Sequence, residues 1–137
     1  IKFRTMFRDA ELDGPALSHK KDPRVTNIGK ILRKWRMDEL PQFMNVIRGD
    51  MTLVGPRPER KYYIEQLKDK VPGYDRLFML RPGITSWGQV KFGYASTVSE
   101  IVQRVRYDML YVNNVSFWLD LQIIYQTLLV IIKGKGH

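Results

Sequence analysis

Residues 34–59 read KWRMDELPQFMNVIRGDMTLVGPRPE, and the fold is read outward from them. Two acids, Asp38 and Glu39, follow directly on the basic residues Lys34 and Arg36. The segment 38–49 has the marks of a short helix. Asp38 can serve as its N-cap, Pro41 suits the first turn, and Gly49 supplies the stop. Residues 51–54 (MTLV) then read as a short strand. Residues 55–59 (GPRPE) read as a stiff loop, since Pro56 and Pro58 restrict the backbone on both sides of Arg57.

Upstream, residues 26–37 have helical periodicity. Ile28, Ile31, Leu32 and Trp35 fall on one face, with Thr26 or Asn27 as cap. Lys30, Arg33, Lys34 and Arg36 occupy the rest of that helix surface, which a solvated face would also explain. Residues 1–7 alternate weakly and could end a strand, and residues 8–24 are polar with turn residues. Downstream, 61–71 reads as a helix ended by Pro72-Gly73, and 81–90 as loop plus strand. Residues 97–115 form an amphipathic helix with Ile101, Val105, Met109 and Val112 aligned. Residues 116–137 form a last helix, apolar over a wide face and cationic at its end, which suits a core helix or one lying on a membrane. The expected fold class is α+β, mostly α: one domain over 1–137, with amphipathic helices, short strands and long loops.

The chain has 137 residues, 44% of them hydrophobic, enough for a single domain with its own core. It has no cysteine, which removes disulfides and thiolate metal sites. His19 and His137 are its two histidines, too few for a histidine zinc cage. The net charge of +9 favours an anionic partner: nucleic acid, a phosphorylated metabolite or anionic lipid. No recognised nucleic-acid motif is present. No stretch is long and apolar enough for a full membrane span. The chain opens Ile-Lys-Phe-Arg without methionine, and it is expected to start inside a domain, truncated at its N-terminus.

Several residue groups can carry chemistry. Asp38-Glu39 is explained as a helix cap plus a first-turn acid, or as a reactive pair. A carboxylate beside cations can attack phosphorus or hold Mg²⁺. Arg57 is pre-positioned for bidentate phosphate contact, and Glu59 is placed to hold it or a metal. Arg81, before Pro82-Gly83, begins a loop whose N–H groups can form an anion nest. Asp108 and Asp120 are acids in apolar helices, costly unless paired, with structural arginines as the first partners to expect.

Taken together, residues 2–6 (KFRTM), 22–59, 81–90 (RPGITSWGQV) and 107–124 (YDMLYVNNVSFWLDLQII) resemble the bacterial sugar transferase family, the monotopic phosphoglycosyl transferases. The resemblance implies a membrane-associated enzyme on the cytoplasmic face of the bacterial inner membrane, and a re-entrant membrane helix and start of the domain ahead of Ile1 that this chain is expected to lack. It would move sugar-1-phosphate from a UDP-sugar to a polyprenyl phosphate, release UMP, and so initiate surface glycan synthesis. It also implies Asp38 as nucleophile in a covalent phosphosugar intermediate, and Glu39 as its support and Mg²⁺ ligand. Lys2, Arg33, Arg57 and Arg81 would contact phosphate, with Asp108 and Asp120 as further substrate-site candidates. The family usually has small residues where this chain has KWRM before the dyad, and a different sequence at SWGQVKFGYAS. Those departures bear on which sugar is used. The other readings are a catalytically silent scaffold of the same fold and a basic polyanion-binding module.

Overall fold

Side-chain caps decide where most of the helices begin. In this computed structural model, which describes residues 1–12, 14–19 and 22–134, Thr26 Oγ1 accepts the Gly29 N–H at 2.9 Å and opens α1 (Asn27–Lys34). Ser86 opens α4 (Trp87–Lys91) by accepting from Gln89 N–H, and Ser116 opens α6 (Phe117–Ile132) by accepting from Leu119 N–H. Thr97 and Glu100 form a reciprocal capping box at the start of α5 (Val98–Asn113). The remaining elements are α2 (Gln42–Ile47), β1 (Thr52–Val54), α3 (Lys61–Lys70) and β2 (Gly83–Thr85). Two 3₁₀ turns, Met37–Glu39 and Tyr74–Met79, complete the order. The chain is thus α+β and mostly α. The predicted cationic tail at 135–137, and positions 13, 20 and 21 of the predicted loop, lie outside the described residues.

Three local expectations change. Residues 38–49 are not one helix: Asp38 and Glu39 sit inside the 3₁₀ turn, and α2 starts only after Pro41. Asp38 therefore caps nothing. Gly49 does stop α2, at φ 80°. Residues 81–90 hold β2 followed by helix α4, not loop plus strand; the Ser86 cap turns the chain into a helix. Residues 1–7 form no strand, only an isolated antiparallel bridge between Met6 and Val25.

β1 and β2 pair in parallel, Thr52 with Gly83 and Val54 with Thr85. They approach unusually closely at Gly55 and Gly83. A Cβ on Gly83 would lie 2.2 Å from Gly55 N, so only glycine fits there. One core packs Tyr63 and Leu67 of α3 and Leu77 of the second 3₁₀ turn against Ile101 and Val105 of α5. Met109 and Val112, predicted on the same face of α5, pack against it. A second core joins Val54, Tyr111 and Ile123, which places α6 over the strands.

The apolar stripe of α1 meets no core. Ile28 is 71% exposed and Ile31 60%, because α1 seats itself through Gly29 against the Thr5 carbonyl instead. α2 has no buried residue, with Phe43, Met44 and Ile47 open. On α6, Ile123 is fully buried while Phe117, Trp118, Tyr125 and Ile132 are exposed. No helix among the described residues is long and apolar enough to cross a membrane.

Candidate active site

The site is assembled from segments far apart in sequence. Phe3 N–H donates to the Asp38 carbonyl at 3.0 Å, which lays the N-terminal segment along the first 3₁₀ turn. That places Lys2 over both acids. Its Nζ lies 3.0 Å from Asp38 Oδ2 and 3.3 Å from Glu39 Oε1. Arg36 NH1 lies 3.2 Å from Glu39 Oε2, and Arg57 NH1 lies 3.6 Å from Glu39 Oε1. Both acids are buried, at 3% and 7% exposure.

Three cations thus face two carboxylates, leaving a surplus of positive charge. Burial pushes the Glu39 carboxyl up, but Arg57, Arg36 and Lys2 together hold it below its ordinary value. Glu39 is therefore a carboxylate at neutral pH. Asp38 meets Lys2 through Oδ2, and Oδ1 accepts no hydrogen bond among the described residues, which leaves that oxygen available to react or ligate. Among the described residues no group of three or more acids and histidines could cage a metal. Two hard carboxylate oxygens do fit Mg²⁺, which commonly takes one or two carboxylates and completes its shell with water and substrate phosphate.

Arg57 is held from behind by α5. Asp108, 2% exposed, accepts the Gly88 N–H at 2.7 Å and the Arg57 N–H at 3.4 Å. One turn earlier, Arg104 forms a buried ion pair with Glu59. Helix α5 therefore grips residues 57–59 at two points and ties them to the start of α4. Burial drives the Asp108 carboxyl up, against the N–H groups of Gly88 and Arg57 that favour its charged form. Asp108 is held first by the backbone N–H groups of Gly88 and Arg57, with the charge of Arg104 nearby, and Glu59 pairs with Arg104 rather than with Arg57.

The other candidates lie elsewhere. Arg33 donates to Thr5 Oγ1 and Ser18 Oγ, both at 2.8 Å, and pairs with neither acid. It lines a separate cavity of about 300 Å³ with His19, Lys30 and Lys34. Arg81 is exposed beside Gly49 and makes no ion pair among the described residues. Asp120 accepts from Tyr111 Oη at 2.7 Å, which links α5 to α6. Of the predicted residues, the structure brings together Lys2, Asp38, Glu39 and Arg57, with Asp108 behind them. Arg36 and Arg104 were not singled out for the site. Arg36 stands in the quoted stretch as one cation among several. Arg104 is spaced one turn from Asp108, and that was its only signal.

A buried acid pair ringed by cations on a small α+β domain is the kind of site that handles anionic, phosphorylated groups. The chain belongs to the bacterial sugar transferase family, whose sequence profile matches residues 1–134. It is 42% identical, over 98% of its length, to an Aeromonas hydrophila protein named UDP-N-acetylgalactosamine-undecaprenyl-phosphate N-acetylgalactosaminephosphotransferase. It is 41% identical to proteins named UDP-glucose:undecaprenyl-phosphate glucose-1-phosphate transferase from Klebsiella pneumoniae and Caulobacter vibrioides, over 92% and 93% of the chain. It spans 32%, 28% and 48% of those three relatives, so each has a large part with no counterpart here.

Proposed function

We propose that this chain is the catalytic part of a phosphoglycosyl transferase that moves sugar-1-phosphate from a UDP-sugar to undecaprenyl phosphate. The observation that carries the reading is the convergence of Lys2, Arg36 and Arg57 on the buried Asp38-Glu39 pair. A carboxylate is repelled by a diphosphate unless cations screen it, and this site has one cation more than it has acids. The names of those relatives supply the substrate classes.

In this reading Asp38 Oδ1 attacks the phosphorus that carries the sugar. The bond from that phosphorus to the bridging oxygen breaks, and UMP leaves with the electron pair. An oxygen of undecaprenyl phosphate then attacks the same phosphorus, and the Asp38 carboxylate is released. Arg57 and Lys2 screen the charge of the incoming diphosphate. Glu39 holds these cations in register and, with Asp38, would hold Mg²⁺. The metal supplies further neutralisation of the diphosphate when bound. The product is the lipid-linked sugar from which surface glycans are built.

The acceptor is a membrane lipid, so the domain must work at a bilayer, here the cytoplasmic face of the inner membrane. The exposed apolar residues of α1, α2 and α6 support that placement, since unburied apolar faces of this extent mark membrane or partner contact.

The test is UMP release by the full natural protein in nanodiscs, with Mg²⁺, undecaprenyl phosphate and a panel of UDP-sugars. Lipid-dependent release with one sugar, lost in Asp38→Asn, is expected, because the amide cannot form the acyl phosphate. Undiminished release by Asp38→Asn would remove the nucleophile. No release from folded wild type with any sugar would remove the reaction.

A further inference from the structure

Helix α1 ends in a way that its backbone alone does not favour. Its C-cap is Trp35, and Arg36 follows at φ 54° and ψ 22°, donating its N–H to the Arg33 carbonyl at 3.1 Å. This is the left-handed position just past a helix end, where glycine is preferred because an L side chain is strained there. Among the described residues, the five others with positive φ are all glycines. Glycine, or asparagine, would close this helix at lower cost.

The side chain accounts for the exception. Left-handed backbone at position 36 turns it back over the 3₁₀ turn, where NH1 meets Glu39 Oε2. Arg57 meets the other oxygen of the same carboxylate, so two guanidiniums flank Glu39. The Arg36 side chain is 18% exposed. Burial and the neighbouring Arg57 both oppose its charge, and Glu39 and Asp38 only partly offset them. Glu39 is already paired with Lys2 and Arg57. Arg36 takes the oxygen that Lys2 and Arg57 leave open, and as the third cation it creates the surplus positive charge at the dyad. Local backbone strain of this kind persists where the side chain it presents has a task.

We propose that Arg36 is a substrate-contacting residue: its guanidinium, parked on Glu39 Oε2, binds the diphosphate of the nucleotide-sugar donor across from Arg57. The proposal rests on the transferase reading above. A planar fork that already sits on a carboxylate is shaped to share two phosphate oxygens. Because the donor brings more negative charge than Glu39 alone, the arginine is drawn toward it without leaving the carboxylate unscreened.

The experiment compares wild type, Arg36→Gly and Arg36→Asn in the full natural protein, by UMP release, thermal unfolding and UDP titration calorimetry. Both substitutions suit left-handed backbone and remove the charge. The expected result is a thermal midpoint equal to wild type or raised by about 2–4 °C, with kcat/KM for the UDP-sugar lowered roughly 10²-fold. UDP binding should weaken in parallel. Arg36→Lys should fall between, since it keeps charge but loses the fork. Wild-type kcat/KM in Arg36→Gly would overturn the proposal and make Arg36 a helix stop only. A rate loss matched by a falling thermal midpoint would also overturn it, as a structural role. If wild type releases no UMP from any UDP-sugar, the transferase reading fails on its own. Inorganic diphosphate binding then decides the residue: weaker binding in Arg36→Gly keeps the anion contact, and equal binding removes it.

Discussion

Gly83→Ala should separate catalysis from stability. Gly83 sits where β2 meets the segment that leads into the Arg57 loop. Its N–H donates to the Pro56 carbonyl at 3.1 Å, and Gly55 N–H donates to the Thr85 carbonyl at 3.1 Å. An added Cβ would lie 2.2 Å from Gly55 N, 2.5 Å from Thr85 O and 2.7 Å from Gly55 Cα. All three are backbone atoms, so no side chain can swing away. Ordinary contact begins near 3.4 Å. The strands must therefore open by about 1 Å at the root of the loop, and a misplacement of that size costs on the order of 10²-fold in rate. The same overpacking should cost about 1–3 kcal/mol of stability. Gly93→Ala is the control. Gly93 has φ 89° with nothing within 4 Å of a new Cβ, so it should lose about 1–2 kcal/mol through backbone strain alone. UMP turnover at saturating UDP-sugar, with urea midpoints, reads both. Similar stability losses with a large rate loss only in Gly83→Ala are expected. Turnover by Gly83→Ala indistinguishable from wild type would refute the claim that strand contact places Arg57. An equal rate loss in Gly93→Ala would refute it as well.

Asp108→Asn leaves one oxygen for two N–H donors, so either Gly88 or Arg57 faces an amide NH₂. An unpaired buried N–H should cost about 1–3 kcal/mol. Hydrogen exchange at Arg57, the one amide between Pro56 and Pro58, should accelerate; unchanged exchange would dismiss the grip of α5 on the loop. Glu39 titrates below its ordinary value of 4.5, so its ion pairs stabilise the fold fully above that value. That stability is lost as pH falls through the lower folded value. Glu39→Gln should therefore flatten the decline of stability in acid below about pH 4.5, and an unaltered slope in urea titrations across that window would contradict the assignment.

The long helices were legible because their signals are local. Thr26 announces a cap, and Ile101, Val105, Met109 and Val112 repeat at helical spacing. α4 carried a signal too, Ser86 followed three residues on by Gln89, but Gly88 and the preceding β-branched residues obscured it. The dyad and Arg57 stood out as residue types, and the family resemblance added Lys2. Their meeting did not, since the hydrogen bond from Phe3 to Asp38 is a tertiary contact with no local mark. Periodicity found the apolar face of α1 but could not tell whether that face meets protein. Arg36 escaped because nothing in its residue type predicts left-handed backbone. Asp108 was flagged as an acid in an apolar helix, yet its backbone partners come from two other elements.

The parallel pairing of β1 with β2 is also a long-range closure. Residues 55–82 must be gathered before Thr52 can meet Gly83, and within that span α3 and the second 3₁₀ turn pack on α5 as a core of their own. Loop closure is favoured once the intervening chain is already compact. The strands thus close around a segment that α5 already holds through Asp108 and Arg104. Arg57 leaves directly from that closure, so the position of the dyad's loop cation depends on the strand pairing and the hold of α5 together.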